Sequence, residues 1–203
     1  MTAIITGDII NSRTSESGIW IDGLQELLAT KGKTPRDWEI FRGDEFQLEV
    51  PKPEEALHTA LEIKTWLKTL RLDARISIGM GDKTFVGKKI SESNGPAFVR
   101  SGELFDVLKK QKLTLAINTG NADFDAEMNL MLRLGTSIMQ NWLPQSAEFV
   151  LAAMKNPGYS QEEIGAKLGI TQAAVSRRQT RSQFDLITEI EKFYRQKLKK
   201  TAL

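Results

Sequence analysis

The sequence predicts an α+β protein in which strands and helices alternate in the N-terminal part and only helices follow. Two observations support this prediction. Through residue 118, apolar or alternating runs typical of strands are interspersed with segments of helical spacing. From Asp123 onward, every apolar pattern has the helical repeat. We therefore divide the chain into a sheet domain over 1–120, a connecting helix over 121–143 and a helical domain over 144–203.

The composition is that of an ordinary globular protein. Of the 203 residues, 40% are hydrophobic and 27% are charged, which allows a buried core to form. There is no cysteine, and this excludes a disulfide framework, a thiolate metal site and a cysteine nucleophile. No apolar run approaches the roughly 18 residues of a membrane span, and the N-terminus lacks a basic leader. We expect a cytoplasmic protein without membrane contact.

The first half of the sheet domain begins with an apolar run rich in Ile and Thr, Thr2–Ile10, which predicts a buried strand. A helix is expected around Ile19–Leu28. Two strands, Trp38–Phe41 and Phe46–Val50, flank a turn at Gly43 and Asp44. Pro51 and Pro53 then end the second of these strands and open a helix over Glu54–Leu70.

The second half of the sheet domain continues the alternation. Apolar residues alternate with Arg75, Ser77 and Gly79 in Asp73–Gly81, which predicts a half-buried strand. A helix over Gly95–Lys110 and a strand over Leu113–Asn118 follow. The order is β-α-β-β-α-β-α-β, and its first six elements match a ferredoxin-like split βαβ arrangement with helices on one face of the sheet.

The connecting helix, Phe124–Trp142, is apolar almost all round, and we expect it to be buried between the two halves. The helical domain begins at Pro144. Its distinctive segment is Ser160–Arg181. Ser160 and Glu163 have the spacing of a capping box.

The first short helix of this segment ends at Gly169, which suits a helix C-terminus, and Thr171 caps a second helix. Helix, tight turn and helix with a polar leading edge is the helix-turn-helix pattern of DNA-binding proteins. An ordinary helical hairpin is the alternative.

The positive charge of the chain collects on this segment. Residues 171–203 hold eight Lys and Arg against three Asp and Glu, which suits contact with a phosphate backbone. We expect Gln172, Ser176 and Arg177 to contact base edges. The residues expected to contact phosphates are Lys167, Thr171, Arg178 and Arg181. Because helix-turn-helix proteins usually bind two half-sites as dimers, double-stranded DNA and a homodimer are the predicted partners.

Two aspartates mark a second candidate site. Asp8 lies near the end of the first strand, and Asp44 lies in the turn between the second and third. In a split βαβ sheet these positions share one rim, so the pair is a candidate Mg²⁺ site that holds nucleotide phosphates, with Glu45 as a possible third ligand. Alternatively, Asp44 makes the turn and Asp8 caps a helix or pairs with Arg13, Arg42 or Lys83.

The segment FRGDEFQ (Phe41–Gln47) resembles the signature hairpin of diguanylate cyclases, and SIG (Ser77–Gly79) their following strand. GDII at the first strand is similar to the metal-binding start of class III nucleotide cyclases. This resemblance implies a cyclase-like palm with two Mg²⁺ ions held by the two carboxylates. Arg42 replaces the first glycine of the usual pair, and the Asn-x-x-x-Arg pair of cyclases is missing after the fourth strand.

The chain as a whole resembles the SatD family of small bacterial proteins. The resemblance rests on GDIINSR (Gly7–Arg13), GDEFQ (Gly43–Gln47), RISIGMG (Arg75–Gly81), GPAFVRSGE (Gly95–Glu103) and the C-terminal helix-turn-helix. It implies a regulatory protein rather than a particular activity. In the last of the quoted stretches, we expect Arg100 to point toward Asp8 and Asp44, where it pairs with these carboxylates or grips a phosphate.

The sequence therefore predicts a DNA-binding transcriptional regulator whose cyclase-like domain dimerises or senses a nucleotide. The alternative is a Mg²⁺-dependent nucleotidyl transferase or cyclase with an appended DNA-binding module, for which Asp44, Glu45 and Arg100 are the catalytic candidates. A protein-interaction adaptor whose helical tail does not touch DNA is a third hypothesis.

Overall fold

A computed structural model describes residues 1–12, 17–41 and 43–201, and it is an α+β structure built on one five-stranded sheet. The strands are β1 (Thr2–Ile10), β2 (Trp38–Phe41), β3 (Glu45–Val50), β4 (Asp73–Gly81) and β5 (Leu115–Asn118). Their order is β2-β3-β1-β4-β5. Every neighbouring pair is antiparallel except β4 and β5, which are parallel. The order of strands and helices predicted through residue 118 is confirmed.

Eight α-helices accompany the sheet within the described residues. They are α1 (Ser17–Ala29), α2 (Ala56–Thr69), α3 (Pro96–Gln111), α4 (Ala122–Met139), α5 (Pro144–Lys155), α6 (Gln161–Leu168), α7 (Gln172–Ser182) and α8 (Phe184–Lys200). Two short 3-10 helices, Pro53–Glu55 and Ile90–Glu92, lie between them. None of the described helices is long and apolar enough to cross a membrane.

The two faces of the sheet carry different helices. On one face, Ile5, Phe46 and Ile78 belong to a core that also contains the apolar side chains of α1 and α2. The opposite face is covered by α3, through a smaller cluster that includes Ile4 and Phe98. The approach of α3 is close, because a Cβ on Gly79 would lie 2.3 Å from the carbonyl oxygen of Ala97. The one-sided arrangement expected of the first six elements therefore holds for α1 and α2, and α3, which follows them, covers the opposite face.

The main core continues from the sheet into the C-terminal helices. Ile164 of α6, Val175 of α7 and Ile187 of α8 are buried in the same cluster as the strands. At the far end of α8, the buried Tyr194 hydroxyl donates a hydrogen bond to the carbonyl oxygen of Pro53. The C-terminal helices are thus packed against α2 and the turn that precedes it. The position of α7 is fixed by this packing.

A buried ion pair lies between α2 and β4. The Lys64 ammonium is fully buried and donates to Asp73 Oδ1 and to the Ala74 carbonyl oxygen, each at 2.6 Å. Lys68 lies 2.9 Å from the other oxygen of Asp73. Burial lowers the pKa of Lys64. Burial also acts to raise the pKa of Asp73, but the two lysines outweigh it, and this pKa is lowered.

The structure corrects the expectation for α4. Its buried side carries Phe124, Met128 and Leu132, as an amphipathic helix would. On the other side, however, Leu130 and Leu134 are 51% and 61% exposed. The helix is covered by β5 and α8 along one side only, so its apolar residues are not enclosed all round within this chain.

Candidate functional site

The caps and the turn around α6 and α7 have the geometry predicted from the sequence. The Ser160 hydroxyl accepts from the Glu163 amide at 3.2 Å, and the Glu163 carboxylate accepts from the Ser160 amide at 2.6 Å, which completes a capping box. Gly169 ends α6 in the left-handed region with a φ of 67°. Thr171 then caps α7 by accepting from the Ala174 amide at 3.3 Å. The capping signals are local, and they are confirmed.

The turn is packed tightly against α6. The Ile170 amide donates to the Gly165 carbonyl oxygen at 2.9 Å, and a Cβ on Gly165 would lie 2.8 Å from the Ile170 carbonyl oxygen. A larger residue at 165 would push the turn away from the helix. Below the turn, Ile164 and Val175 are buried side by side in the core. The relative position of α6 and α7 is therefore fixed by backbone contact as well as by apolar packing.

The N-terminal half of α7 presents a polar surface to solvent. Gln172, Ala173 and Arg177 are exposed, whereas Ser176 is half-buried. Lys167 at the end of α6 and Arg181 at the end of α7 are also exposed. Within the described residues, Lys167, Arg177 and Arg181 have no ionic partner. This surface therefore holds three cations without an ionic partner in ranges 1–12, 17–41 and 43–201.

A chain of amides lies behind this surface. Gln172 Nε2 donates to Gln161 Oε1, and Gln161 Nε2 in turn donates to Gln179 Oε1 at 2.9 Å. Gln179 Nε2 continues the chain to Asp185 Oδ1 at 3.0 Å. Gln161 and Gln179 are not recognisable from the sequence pattern, because these contacts join residues on three different helices. They hold the Gln172 side chain in one orientation at the start of α7.

Arg178, which the sequence assigns to a phosphate contact, has partners on α5. Its Nη1 donates to the carbonyl oxygen of Gln145 and to Glu148 Oε2, both at 3.1 Å, and its side chain is only 21% exposed. Arg178 lies on the side of α7 that faces α5, because one residue of helix rotates the side chain by about 100° away from Arg177. These contacts tie α7 to α5.

The two aspartates of the sheet domain meet at one rim, as their positions on the predicted strands implied. Asp8 is directly opposite Glu45 on β3 and Arg75 on β4. The next residue, Ile9, donates its amide to the carbonyl oxygen of Asp44 at 3.1 Å. Asp8, Asp44 and Glu45 are thus brought together by the pairing of β1 with β3.

Each of these carboxylates already has a partner. Arg75 Nη1 donates to both oxygens of Asp8, at 3.0 and 2.8 Å. Asp44 accepts from the Ser12 hydroxyl at 2.8 Å, and Glu45 lies 2.8 Å from the Lys109 ammonium. Of the partners suggested for Asp8, Lys83 pairs with Glu49 instead, whereas Arg13 and Arg42 lie outside the described residues.

The environment of Asp8 combines burial with an adjacent cation. Burial raises the pKa of Asp8, and this effect outweighs the attraction of Arg75, which lowers it. Both Asp8 oxygens accept from the Arg75 guanidinium. Across residues 1–12, 17–41 and 43–201, no three Asp, Glu, His or Cys side chains are arranged to hold a metal ion.

The predicted position of Arg100 is wrong. Its Nη1 donates to the carbonyl oxygens of Met80 and Thr119, at 2.6 and 2.8 Å. These carbonyls lie at the C-terminal ends of β4 and β5, whereas Asp8 pairs with Arg75 near the beginning of β4. The second turn of α3 crosses the sheet at the end opposite the carboxylates. The role expected of Arg100 beside Asp8 is taken by Arg75, which β1–β4 pairing places directly opposite.

The chain matches no protein-family model, and a search of curated proteins gives no match either.

Proposed function

We propose that the protein is a DNA-binding transcriptional regulator in which α6, the turn and α7 form a helix-turn-helix. The observation that carries this proposal is the exposed, uncompensated cationic surface at α7, next to a turn that backbone contacts hold rigid. Recognition helices in such motifs enter the major groove with their N-terminal residues on base edges. Here those residues are polar or small, and the packing of α7 against the core fixes their position.

The proposed contacts follow from exposure. Arg177 and Gln172 are placed to read base edges, with Ser176 at the margin of the same face. Lys167, Thr171 and Arg181 flank this face and are assigned to phosphates. Arg178 is left out of the proposed interface because Glu148 and Gln145 hold it.

For the N-terminal part, we propose a ferredoxin-like, cyclase-like palm that serves as a sensing or dimerising domain. The support is the order β2-β3-β1-β4 with all pairs antiparallel, which is the order of a split βαβ sheet. The proposed ligand is a nucleotide, on the strength of the cyclase resemblance of Phe41–Gln47. Membership of the SatD family is part of the same proposal.

The test is a DNA-binding measurement on sequences selected by the purified protein. Arg177→Ala should cost about 1–3 kcal/mol on the preferred sequence and much less on unrelated DNA, because a base contact specifies sequence. Lys167→Ala should weaken binding to every sequence and reduce the salt dependence by about one counterion. Lys110→Ala, at an exposed position of α3, is the control and should change neither quantity.

Two results would contradict the proposal. If the two variants lose affinity equally on all sequences, the assignment of base and phosphate contacts is wrong. If no DNA is bound at low salt, the proposal of a regulator fails, and the third hypothesis, a protein-interaction adaptor, takes its place.

A second candidate is a Mg²⁺-dependent nucleotidyl transferase or cyclase. One observation favours it, namely that Asp8, Asp44 and Glu45 share a rim. The Arg75 ion pair argues against it, and we therefore rank it second. Product formation from ATP or GTP that disappears in Asp44→Asn would establish the enzyme, and a lack of turnover with both nucleotides would remove it.

A further inference from the structure

An apolar groove lies between α4 and α8 on the outside of the molecule. It has a volume of about 430 Å³, and its walls include Leu134 and Ile138 of α4 and Leu186, Ile190 and Phe193 of α8. Leu134 is 61% exposed and Leu186 is 46% exposed. Single exposed leucines are ordinary, but a continuous apolar strip of this kind marks a docking surface.

We propose that this groove, extended by Leu130 at its edge, is a homodimer interface in which a second copy of the chain packs about a two-fold axis parallel to the helices. In this arrangement, α4 of one copy lies on α8 of the other. The proposal deepens the proposed function and rests on it in one respect, since helix-turn-helix proteins engage two half-sites as dimers. The surface itself supplies two further arguments.

The first argument is size. α4 has 18 residues and α8 has 17, which gives helices about 25 Å long at about 1.5 Å per residue. Two helices side by side, about 8–10 Å apart, present a face roughly 18 Å wide. A flat face of these dimensions covers roughly 450 Å², which is about half of the roughly 800 Å² per partner of a standard interface, so it can form the centre of one.

Charge complementarity between two copies depends on how α4 and α8 are arranged. α4 and α8 are antiparallel, because Glu127 near the start of α4 pairs with Lys197 near the end of α8, and Trp142 beyond α4 donates to the Ser182 carbonyl oxygen before α8. Gly135 and Ile190 are level, since a Cβ on Gly135 would lie 3.0 Å from Ile190 Cδ1.

One exposed charge, Glu189, lines the groove, and another, Arg133, precedes the lining residue Leu134. Arg133 lies on α4 and Glu189 on α8, and neither has an ionic partner in the part of the chain that the structure describes. Gly135 and Ile190 lie at the same height along the helices. Measured from them, Arg133 and Glu189 are separated by about 4–5 Å along the helix axes. Rotation about a two-fold axis along the groove does not change the position of a residue along the helices. It therefore brings Arg133 of each copy next to Glu189 of the other, with the same offset. The dimer therefore gains two ion pairs that the monomer cannot form.

The experiment is sedimentation analysis of the full chain, with DNA binding measured in parallel. The wild type should be a dimer at micromolar concentration, and Leu134→Asp should weaken dimerisation at least about 30-fold, the effect of removing a central contact. Val86→Asp, at a side chain that is 66% exposed in a loop away from the groove, is the matched control and should leave the dimer intact.

Charge exchange tests the two-fold geometry. Arg133→Glu and Glu189→Arg should each weaken the dimer about tenfold, because two attractive contacts become repulsive. The double variant should return to within about threefold of the wild type. Both positions are exposed, so folding should be unaffected, and circular dichroism checks this.

A wild type that stays monomeric at about 100 μM, or a dimer that is insensitive to Leu134→Asp, would overturn the proposal. The proposal would also be overturned if the double variant dimerised no more strongly than the two single variants. A dimer that behaves as expected yet binds no DNA would uphold the interface and defeat the proposed function, so the two failures are distinguishable.

Discussion

Removal of the Arg75 guanidinium tests whether the carboxylate rim is a structural ion pair. In Arg75→Gln, Asp8 keeps its partly buried position but loses the two contacts at 3.0 and 2.8 Å. A hydrogen bond between charged groups is worth about 1.5–3 kcal/mol, and the side chains of Asp8 and Arg75 are each only 18% exposed. Among the residues that the structure describes, Arg75 Nε is buried without a hydrogen-bond partner, and its removal returns part of that cost. We therefore expect the free energy of unfolding to fall by about 2 kcal/mol at pH 7.

The loss should depend on pH with a definite sign. The folded-state pKa of Asp8 is already above the ordinary value of 3.8, chiefly because of burial. Without Arg75, the folded-state pKa of Asp8 rises further. The free energy of unfolding of the variant is therefore reduced most at pH values where Asp8 is ionised. As the pH falls through the raised folded-state pKa, Asp8 takes up a proton and no longer needs a cationic partner. The gap between wild type and variant should therefore close on acidification from pH 7.

The assay is urea unfolding between pH 4 and pH 7. Lys110→Gln, which removes a positive charge at an exposed position, is the control and should change stability by less than about 0.5 kcal/mol. Asp8→Asn/Arg75→Gln should lose less than the two single variants together, because the pair is coupled. A loss of equal size at both ends of the pH range, or a strictly additive double variant, would refute the ion-pair explanation.

Two further predictions concern stability. Asp73→Asn should destabilise the fold by about 3–5 kcal/mol at pH 7, because it leaves the buried Lys64 without its charge partner. The folded-state pKa of Asp73 is lowered from 3.8, so its contribution is fully present above about pH 3.8 and is lost as the pH falls through the lowered value. Urea unfolding should therefore show the full deficit at pH 7 and a deficit that begins to shrink below about pH 3.8. Gly169→Ala should cost about 1–2 kcal/mol, because position 169 has a φ of 67° but open space around it. Gly165→Val should cost more, since its Cβ would lie 2.8 Å from the Ile170 carbonyl oxygen, and a ranking reversed in thermal unfolding would contradict this account.

The sequence by itself determined the local features of the chain. Strand periods, helical spacing and proline positions place the five strands and α1 to α4 within a few residues. Ser160, Gly169 and Thr171 mark the ends of α6 and α7 because caps and left-handed termini depend on a few adjacent residues. The meeting of Asp8 with Asp44 also followed, since it needed only the order of the strands.

Tertiary structure decided which side chains meet across those elements. Asp8 pairs with Arg75 rather than Arg100 because the register of β1 with β4 and the path of α3 are set by packing. Arg178 faces α5 and Arg177 faces solvent because packing fixes the rotation of α7. The exposed side of α4 likewise depends on how much of it α8 covers. Each of these contacts joins residues distant in the chain, and the local pattern of a sequence does not encode the direction in which such residues face.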